Sequence, residues 1–268
     1  MRIMCRKSVI GEGQMLALPE GKRTNRGRAL RVFSYGGGVQ SNAVLVLQAQ
    51  GRLPKPYDFF LFANVGKDSE NPATVEYIEN IAKPYAREHG IPLVETQRQT
   101  RLGANVTLHE YIHKTKRSVP IPARMSNGAP SNRTCTQDFK IKVVDKWIKN
   151  LGVRAAVVGL GISMDEARRM KDTDWYNEYG GRKVGFWKRI EHPLIDLQMG
   201  RNDALSVIRR AGLPQPPKSA CWFCPFTSRG EWIERKRNDP ELFQRAVELE
   251  NHLNEKRGAT GTDRVYLH

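Results

Sequence analysis

The chain has few cysteines and no long apolar run. Only four of its 268 residues are cysteine, too few for a small secreted scaffold held together by disulfides. No apolar run approaches the roughly 18 residues that a membrane-spanning helix needs. Residues 1–7 also lack the apolar stretch of a signal peptide. These absences predict a cytoplasmic protein that does not contact membranes.

Acidic residues are also scarce. The chain has 28 Asp and Glu against 44 Lys and Arg, which gives a formal net charge of +16. Such an excess attracts polyanions, and nucleic acid, either RNA or DNA, is the expected partner. Solubility together with polyphosphate binding would also explain it. The hydrophobic composition of 39% is enough for one core of ordinary size.

Strand and helix patterns alternate from residue 29 onward. Strands are predicted at 30–34, 59–64, 92–96, 155–160 and 186–190, and helices at 39–50, 72–88, 137–149 and 201–211. This alternation is typical of an α/β fold with a doubly wound, mainly parallel sheet of five strands.

The remaining segments divide the chain into three predicted parts. Residues 1–28 form a basic N-terminal arm, 29–200 the nucleotide-binding α/β domain, and 201–268 a C-terminal helical extension that carries Cys-x-x-Cys and a helix at 240–256. The stretch 98–134 fits the alternation poorly and contains one short predicted helix, at 107–113. We interpret it as a substrate loop.

A glycine-rich turn follows the first predicted strand. It consists of Ser34, Tyr35, Gly36, Gly37, Gly38, Val39, Gln40 and Ser41. Glycines let several backbone N–H groups approach one phosphate, and the next helix directs its positive end at the same place. The Lys-Ser/Thr pair of the Walker loop is absent, and the dinucleotide fingerprint is weak. An ordinary strand-to-helix turn is the alternative interpretation.

Three cysteines form a candidate metal site. Cys135 lies far along the chain from Cys221 and Cys224, which form a Cys-x-x-Cys pair. In a cytoplasmic protein this pattern indicates a metal, a cluster or redox work more often than a structural disulfide. Alternatives are tetrahedral zinc, with His109, His113 or His192 as fourth ligand, a bare redox pair, and a Cys135 that is merely buried.

Together these motifs resemble the PP-loop ATP pyrophosphatases, and within them the phosphoadenosine-phosphosulfate (PAPS) reductase-like branch. The resemblance spans roughly residues 29–225 and rests on segments 34–41, 62–70, 159–169 and 192–197 and on the cysteines. It implies an adenine-nucleotide alpha-hydrolase-like fold. The chain departs from the family at Gln40, where an acidic residue is usual, at Ile162, where an arginine is usual, and at Leu197, where a tryptophan is usual.

The resemblance also implies roles for individual residues. The turn at 34–41 would bind ATP with Mg²⁺, with Gly161 and Glu166 also at the nucleotide. Arg169 would contact phosphate, although an ion pair between Glu166 and Arg169 explains the same spacing. Asn64, at the end of a strand, suits a ribose hydroxyl. Lys140 would approach the substrate's phosphates or the cluster.

Iron–sulfur forms of the sulfonucleotide reductases carry four cysteine ligands, and this chain keeps three, a state that resembles some PP-loop thiolation enzymes. A 4Fe–4S cluster held by Cys135, Cys221 and Cys224 would leave one iron open for sulfide or substrate. Sulfonucleotide reductases also carry a catalytic cysteine near the C-terminus, but no cysteine follows Cys224. A thiolate nucleophile is therefore missing from the tail.

The sequence thus predicts an ATP-dependent adenylating enzyme, similar to a sulfurtransferase, that modifies a nucleic-acid base. Adenylation of a carbonyl oxygen would let sulfur, or another nucleophile, displace AMP. The sulfur would come from sulfide or from a donor protein. A PAPS or APS reductase-like enzyme and a non-catalytic nucleotide- or nucleic-acid-binding module remain as alternatives, and a homodimer stays open.

Overall fold

The structure is a computed structural model that describes residues 29–115, 119–170 and 187–267 and three two-residue strands between them. The basic arm predicted at 1–28 lies outside the described residues. No helix in the described part of the chain is both long and apolar enough to cross a bilayer.

A parallel sheet forms the centre of the molecule. The described strands are β1 (Leu30–Tyr35), β2 (Phe59–Asn64), β3 (Leu93–Gln97), β4 (Ala155–Leu160), β5 (Asp174–Trp175), β6 (Glu178–Tyr179), β7 (Arg182–Lys183) and β8 (Trp187–Glu191). Five of them are parallel in the order β3-β2-β1-β4-β8. The prediction of a mainly parallel five-stranded sheet is confirmed, with β5 added antiparallel at the β8 edge.

Helices connect the strands. They are α1 (Val39–Ala49), α2 (Pro72–Tyr77), α3 (Lys83–Glu88), α4 (Leu108–Lys114), α5 (Thr134–Thr136), α6 (Lys142–Asn150), α7 (Pro193–Asp196), α8 (Arg201–Arg210), α9 (Arg229–Asn238) and α10 (Pro240–Gly258). A π-helical turn, Ile78–Ala82, joins α2 to α3, and another, Gln137–Ile141, joins α5 to α6.

Alternate residues of the central strands face opposite layers. Val32 on β1 and Leu61 on β2 belong to an apolar cluster with α6. Their neighbours Phe33 and Phe60 belong to the cluster with α1 and with the helical segment 72–88. Since a parallel sheet is covered on both faces, these strands read as continuous apolar runs. The sheet is therefore doubly wound, as predicted.

The C-terminal helices form a further apolar cluster beside the sheet. The cluster includes Leu108, Ile112, Phe139, Trp222, Phe223, Leu249 and Leu253, so α4 and the Cys-x-x-Cys segment pack against α10. The chain end joins the same unit, because Arg124 and Tyr266 exchange backbone hydrogen bonds of 2.8 and 2.9 Å. Much of the stretch predicted as a substrate loop is therefore packed against the C-terminal extension.

Candidate functional site

The strand order creates a crevice between β1 and β4. The connection from β1 leads to β2 on one side, while β4 returns on the other side, so the two loops at their carboxyl ends diverge. Ligands of open α/β sheets bind at this kind of position. The loops are close here, since a Cβ built on Gly161 would lie 3.3 Å from the Cβ of Gln40.

The glycine turn after β1 requires glycine at its centre, and its binding of phosphate stays a prediction. Gly37 has a φ of +79°, a region that glycine adopts without strain. A Cβ there would lie 2.8 Å from Ile78 Cδ1 and 2.9 Å from Thr74 Cγ2. The turn is therefore pressed against the start of the helical segment 72–88, and no larger residue fits at Gly37.

Asn42 holds the turn and was not identified from the sequence. Its buried amide donates to the carbonyls of Gly37 and Gly38 at 3.0 and 2.9 Å. Its Oδ1 accepts a 2.7 Å bond from the Tyr35 hydroxyl. A polar residue one turn into an apolar helix is the only sequence signal that could have indicated this role.

The first turn of α1 presents backbone groups to the crevice. No hydrogen bond from a described side chain caps its N-terminus at Gly38, which leaves a helix end suited to an anion. Tyr35 and Val39 are buried with 2% of their surface exposed. Of the predicted loop residues, these two therefore have only backbone groups available for a nucleotide.

Asn64 lies at the carboxyl end of β2, as predicted, but its amide is already engaged. Its Nδ2 donates to Glu95 at 2.7 Å, and its Oδ1 accepts from the backbone N–H of Gly66 at 2.7 Å. These bonds fix the turn that follows β2. Contact of Asn64 with a ribose stays a prediction.

Glu166 and Arg169 lie on the 3₁₀ turn Met164–Arg169 after β4. They form an ion pair at 2.6 Å, and the Arg169 side chain is 53% exposed. The structure thus shows the ion pair between residues i and i+3 that was the alternative interpretation of this spacing. Contact of either residue with a nucleotide stays a prediction.

The three cysteines converge although they are distant in sequence. Cys135 lies on α5, and Cys221 and Cys224 lie on one turn, closed by a 3.0 Å bond from the Cys224 N–H to the Cys221 carbonyl. Burial raises the pKa of Cys135 and raises the pKa of Cys221 more strongly, and the charges of the neighbouring cysteines contribute to both shifts. The thiols therefore share one partly buried pocket, and Cys135 and Cys221 are protonated at neutral pH.

Lys140 and Glu70 complete this thiol pocket. Burial alone would lower the pKa of Lys140, but Glu70, Cys221 and Cys135 together raise it. Burial raises the pKa of the Glu70 carboxyl, and Lys140 opposes that shift. Lys140 thus lies near Cys221 and Cys135, and its contact with a substrate or a cluster stays a prediction. Glu70 was missed, because before Asn71 and Pro72 it looks like part of a helix start.

One short segment joins the glycine turn to the thiols. The Ser219 hydroxyl donates to the carbonyl of Gly36, and the Lys218 carbonyl accepts from the Thr74 hydroxyl at 3.4 Å. The N–H of Asn71 donates to Ala220 at 3.1 Å, and Cys221 follows directly. Two residues span at most about 7 Å, so the glycine turn and Cys221 lie close to each other.

Two of the histidines proposed as a fourth zinc ligand, His109 and His113, contact other histidines. The Nε2 atoms of His109 and His113 lie 3.3 Å apart, and the ring of His113 lies 4.2 Å from that of His252. No three His, Cys, Asp or Glu side chains among the described residues are arranged to hold one metal ion. The zinc alternative therefore has no ligand set in the described part of the chain.

An iron–sulfur cluster requires a different arrangement of ligands from the one that a single metal ion requires. Each cysteine binds a different iron, so the three sulfurs need not converge on a single point. The pocket supplies three thiols, a cationic lysine beside them, and a buried carboxylate whose two oxygens accept no hydrogen bond from the described residues. This donor set fits a cluster better than it fits a single ion.

Comparisons with known proteins give one structural likeness to report. No protein-family model matches the chain, and no curated protein matches it. Among solved structures the chain is similar to the U34-tRNA thiolase NcsA from Methanococcus maripaludis with its 4Fe–4S cluster. The likeness has 12% sequence identity and a TM-score of 0.45, and it covers 84% of this chain and 72% of that chain.

Proposed function

We propose that this chain is a PP-loop ATP pyrophosphatase-type enzyme that adenylates a nucleic-acid base and replaces an oxygen of that base by sulfur. The observation that carries this proposal is the segment 218–224. It touches the glycine turn at one end, where Ser219 donates to Gly36, and supplies two of the three thiols at the other. A nucleotide and a sulfur carrier held there would face the same substrate.

In this proposal the glycine turn binds ATP and stabilises the pyrophosphate that leaves. A carbonyl oxygen of the base attacks the α-phosphorus of ATP, and the bond to the bridging oxygen of pyrophosphate breaks. The N–H groups of residues 36–38 and the start of α1 stabilise the charge on the departing pyrophosphate. Mg²⁺ bound with ATP would add positive charge there, and Arg169 is the cation that would turn from Glu166 to the phosphates.

In this proposal the thiol pocket holds the cluster that carries the sulfur nucleophile. When bound, a 4Fe–4S cluster with three cysteine ligands supplies an iron with an exchangeable position for sulfide. Cys135, Cys221 and Cys224 must lose their protons to hold it, and the ammonium of Lys140 offsets the resulting negative charge. The sulfur nucleophile, from sulfide or from a donor protein, then attacks the base carbon, and AMP leaves with the oxygen.

An aromatic and an arginine lie beside the same pocket. The guanidinium of Arg133 lies 5.3 Å from the ring centre of Phe226, and Phe226 is 47% exposed. Arg133 also influences the pKa of Cys135, so this pair borders the thiols. Unpaired bases stack on aromatic rings and arginine planes. The pair is therefore suited to hold the target base at the mouth of the pocket.

The test begins with protein purified without oxygen. We expect iron and sulfide at about four each per chain, with the broad visible absorption of a cluster. With ATP and RNA the protein should form AMP, pyrophosphate and a thiolated nucleoside. Zinc in place of iron would contradict the cluster. Sulfite release from a sulfonucleotide would indicate a reductase, and ATP binding without pyrophosphate release would indicate a binding module.

Replacement of one thiol separates the two halves of the site. Cys221→Ala should abolish the thiolated product and spare ATP binding, because the glycine turn is intact. Cys5→Ala is the matched control, since Cys5 belongs to no predicted site, and it should leave both unchanged. Normal product formation by Cys221→Ala would exclude a role for the cluster.

A further inference from the structure

In the described part of the fold, Glu70 is an unusual acidic residue because it is buried and its carboxyl group has no hydrogen-bond partner. Its side chain has 0% of its surface exposed. Neither carboxylate oxygen accepts a hydrogen bond from any described residue. A buried carboxylate in this state has lost its hydration without gaining a partner, and burial raises its pKa. Such a group requires an explanation, and a ligand that binds it is one.

The backbone directs this carboxyl group toward the thiols. Glu70 and Cys221 form an isolated antiparallel bridge, and residues opposite each other in such a pair project to the same face with Cβ atoms about 5 Å apart. Glu70 also raises the pKa of both Cys221 and Lys140. Its carboxyl group therefore lies among the groups that form the thiol pocket.

The position of Glu70 is rigidly built. Its N–H donates to the Gly66 carbonyl at 2.9 Å, and the N–H of Trp222 donates to the Ser69 carbonyl at 3.1 Å. The Trp222 indole donates to the Asp68 carbonyl at 2.6 Å. These bonds fasten the turn after β2 to the Cys-x-x-Cys segment, so the carboxylate and the thiols are held in one frame.

We propose that Glu70 is the fourth protein ligand of the pocket and occupies the iron that Cys135, Cys221 and Cys224 leave open. This inference rests on the proposed function, since it needs the cluster. Carboxylate oxygen is a harder ligand than thiolate and is exchanged more easily on an iron–sulfur site. Hydrosulfide can therefore replace it, with one anionic ligand leaving as another binds and no change in oxidation state. The released carboxylate then faces Lys140.

The experiment compares Glu70→Gln with the wild type after anaerobic cluster assembly. Glu70→Gln preserves the size of the side chain but removes the anionic ligand. Once reduced with dithionite, its cluster should show an altered electron paramagnetic resonance spectrum. It should also lose its fourth iron to a chelator about tenfold faster, the low end of what one supporting group contributes to a metal site. Glu88→Gln, which changes an exposed carboxylate at the end of α3 and outside the pocket, is the matched control.

The outcomes separate this inference from the proposed function. Unchanged ATP affinity of Glu70→Gln establishes that the variant is folded. If the wild type assembles a cluster and the spectrum and iron loss of Glu70→Gln equal those of the wild type, the ligand assignment is wrong and the proposed function stands. If the wild type assembles no cluster, both are wrong.

Discussion

At the scale of single residues, Gly37 is the most constrained position of the glycine turn. It combines a φ of +79° with a Cβ position 2.8 Å from Ile78 and 2.9 Å from Thr74. Gly37→Val must therefore move the turn, at a backbone cost of about 1–2 kcal/mol before any crowding. We expect ATP affinity, measured by calorimetry, to fall at least about tenfold, which corresponds to 1.4 kcal/mol of binding free energy.

Gly51→Val is the matched control for this variant. Gly51 also has a positive φ, +64°, but a Cβ there meets nothing within 4 Å, and it lies at the far end of α1. It should lose stability through backbone strain and keep its ATP affinity. Equal ATP affinity in Gly37→Val and the wild type would show that the turn does not hold the nucleotide.

Residue roles were predictable where they depend on local pattern. The glycine turn and the Cys-x-x-Cys pair are short motifs, and the structure places the first directly after β1 and the second on one turn. Asn42 and Glu70 were not predictable, because Glu70 acquires its role from Cys221, which is remote along the chain. Asn42 closes a turn whose carbonyl directions no sequence pattern reveals. A buried polar group is defined by its tertiary neighbours.

At the scale of elements, three neighbouring histidine rings connect α4 to α10. The ring of His113 lies 4.5 Å from that of His109 and 4.2 Å from that of His252. Burial, then His109, His252 and Lys256, lower the pKa of His113 from 6.5 to about 4. Burial also lowers the pKa values of His109 and His252. The contact between the two helices is therefore made by neutral rings.

This contact predicts a loss of stability in acid. The unfolded chain takes up protons at its histidines as the pH falls through 6.5, while folded His113 resists protonation until about pH 4. Stability contributed by the neutral ring is complete above pH 6.5 and decreases as the pH falls toward 4. Urea unfolding at several pH values should show this decrease, with a shallower slope in His113→Gln.

His89→Gln provides the comparison for that slope. His89 is exposed after α3 and bonds to the Tyr85 carbonyl, outside the three-histidine contact. It should keep the pH dependence of the wild type. A His113→Gln variant with the full wild-type slope would place the acid sensitivity elsewhere, for example at carboxylates such as Glu95, whose pKa Lys83 and Asn64 hold low against the effect of burial.

Elements were predictable where apolar patterning is strong. β2 and β4 begin and end at the predicted residues, and the helical segment 72–88 has its predicted bounds, because both strands are buried runs and Pro72 suits a helix start. The helix α9 was missed. Only Trp232 of its residues is buried, so the segment shows no apolar periodicity that sequence reasoning could detect.

At the scale of the whole molecule, part of the net charge of +16 lies in one groove. A groove of about 400 Å³ between β3 and α6 is lined by Arg98, Lys142, Lys146 and Trp147, together with Asp138, which pairs with Lys142 at 2.6 Å. Arg98 stacks 4.3 Å from the ring centre of Tyr111, which fixes its guanidinium in place. A cationic groove that also contains aromatic surface suits a single-stranded polyanion.

We therefore expect this groove to contribute to RNA binding more than an equally basic surface elsewhere. Lys142→Ala combined with Lys146→Ala should weaken binding of a single-stranded RNA and make the salt dependence shallower, by about 1.4 in log–log slope if each lysine meets one phosphate. Arg209→Ala combined with Arg210→Ala removes the same charge from α8, which packs against α1 on the opposite face of the sheet, and should leave that slope nearly unchanged. Fluorescence anisotropy across a salt series measures both. Equal changes in the two double variants would mean that RNA is attracted by net charge alone and that the groove has no dedicated role.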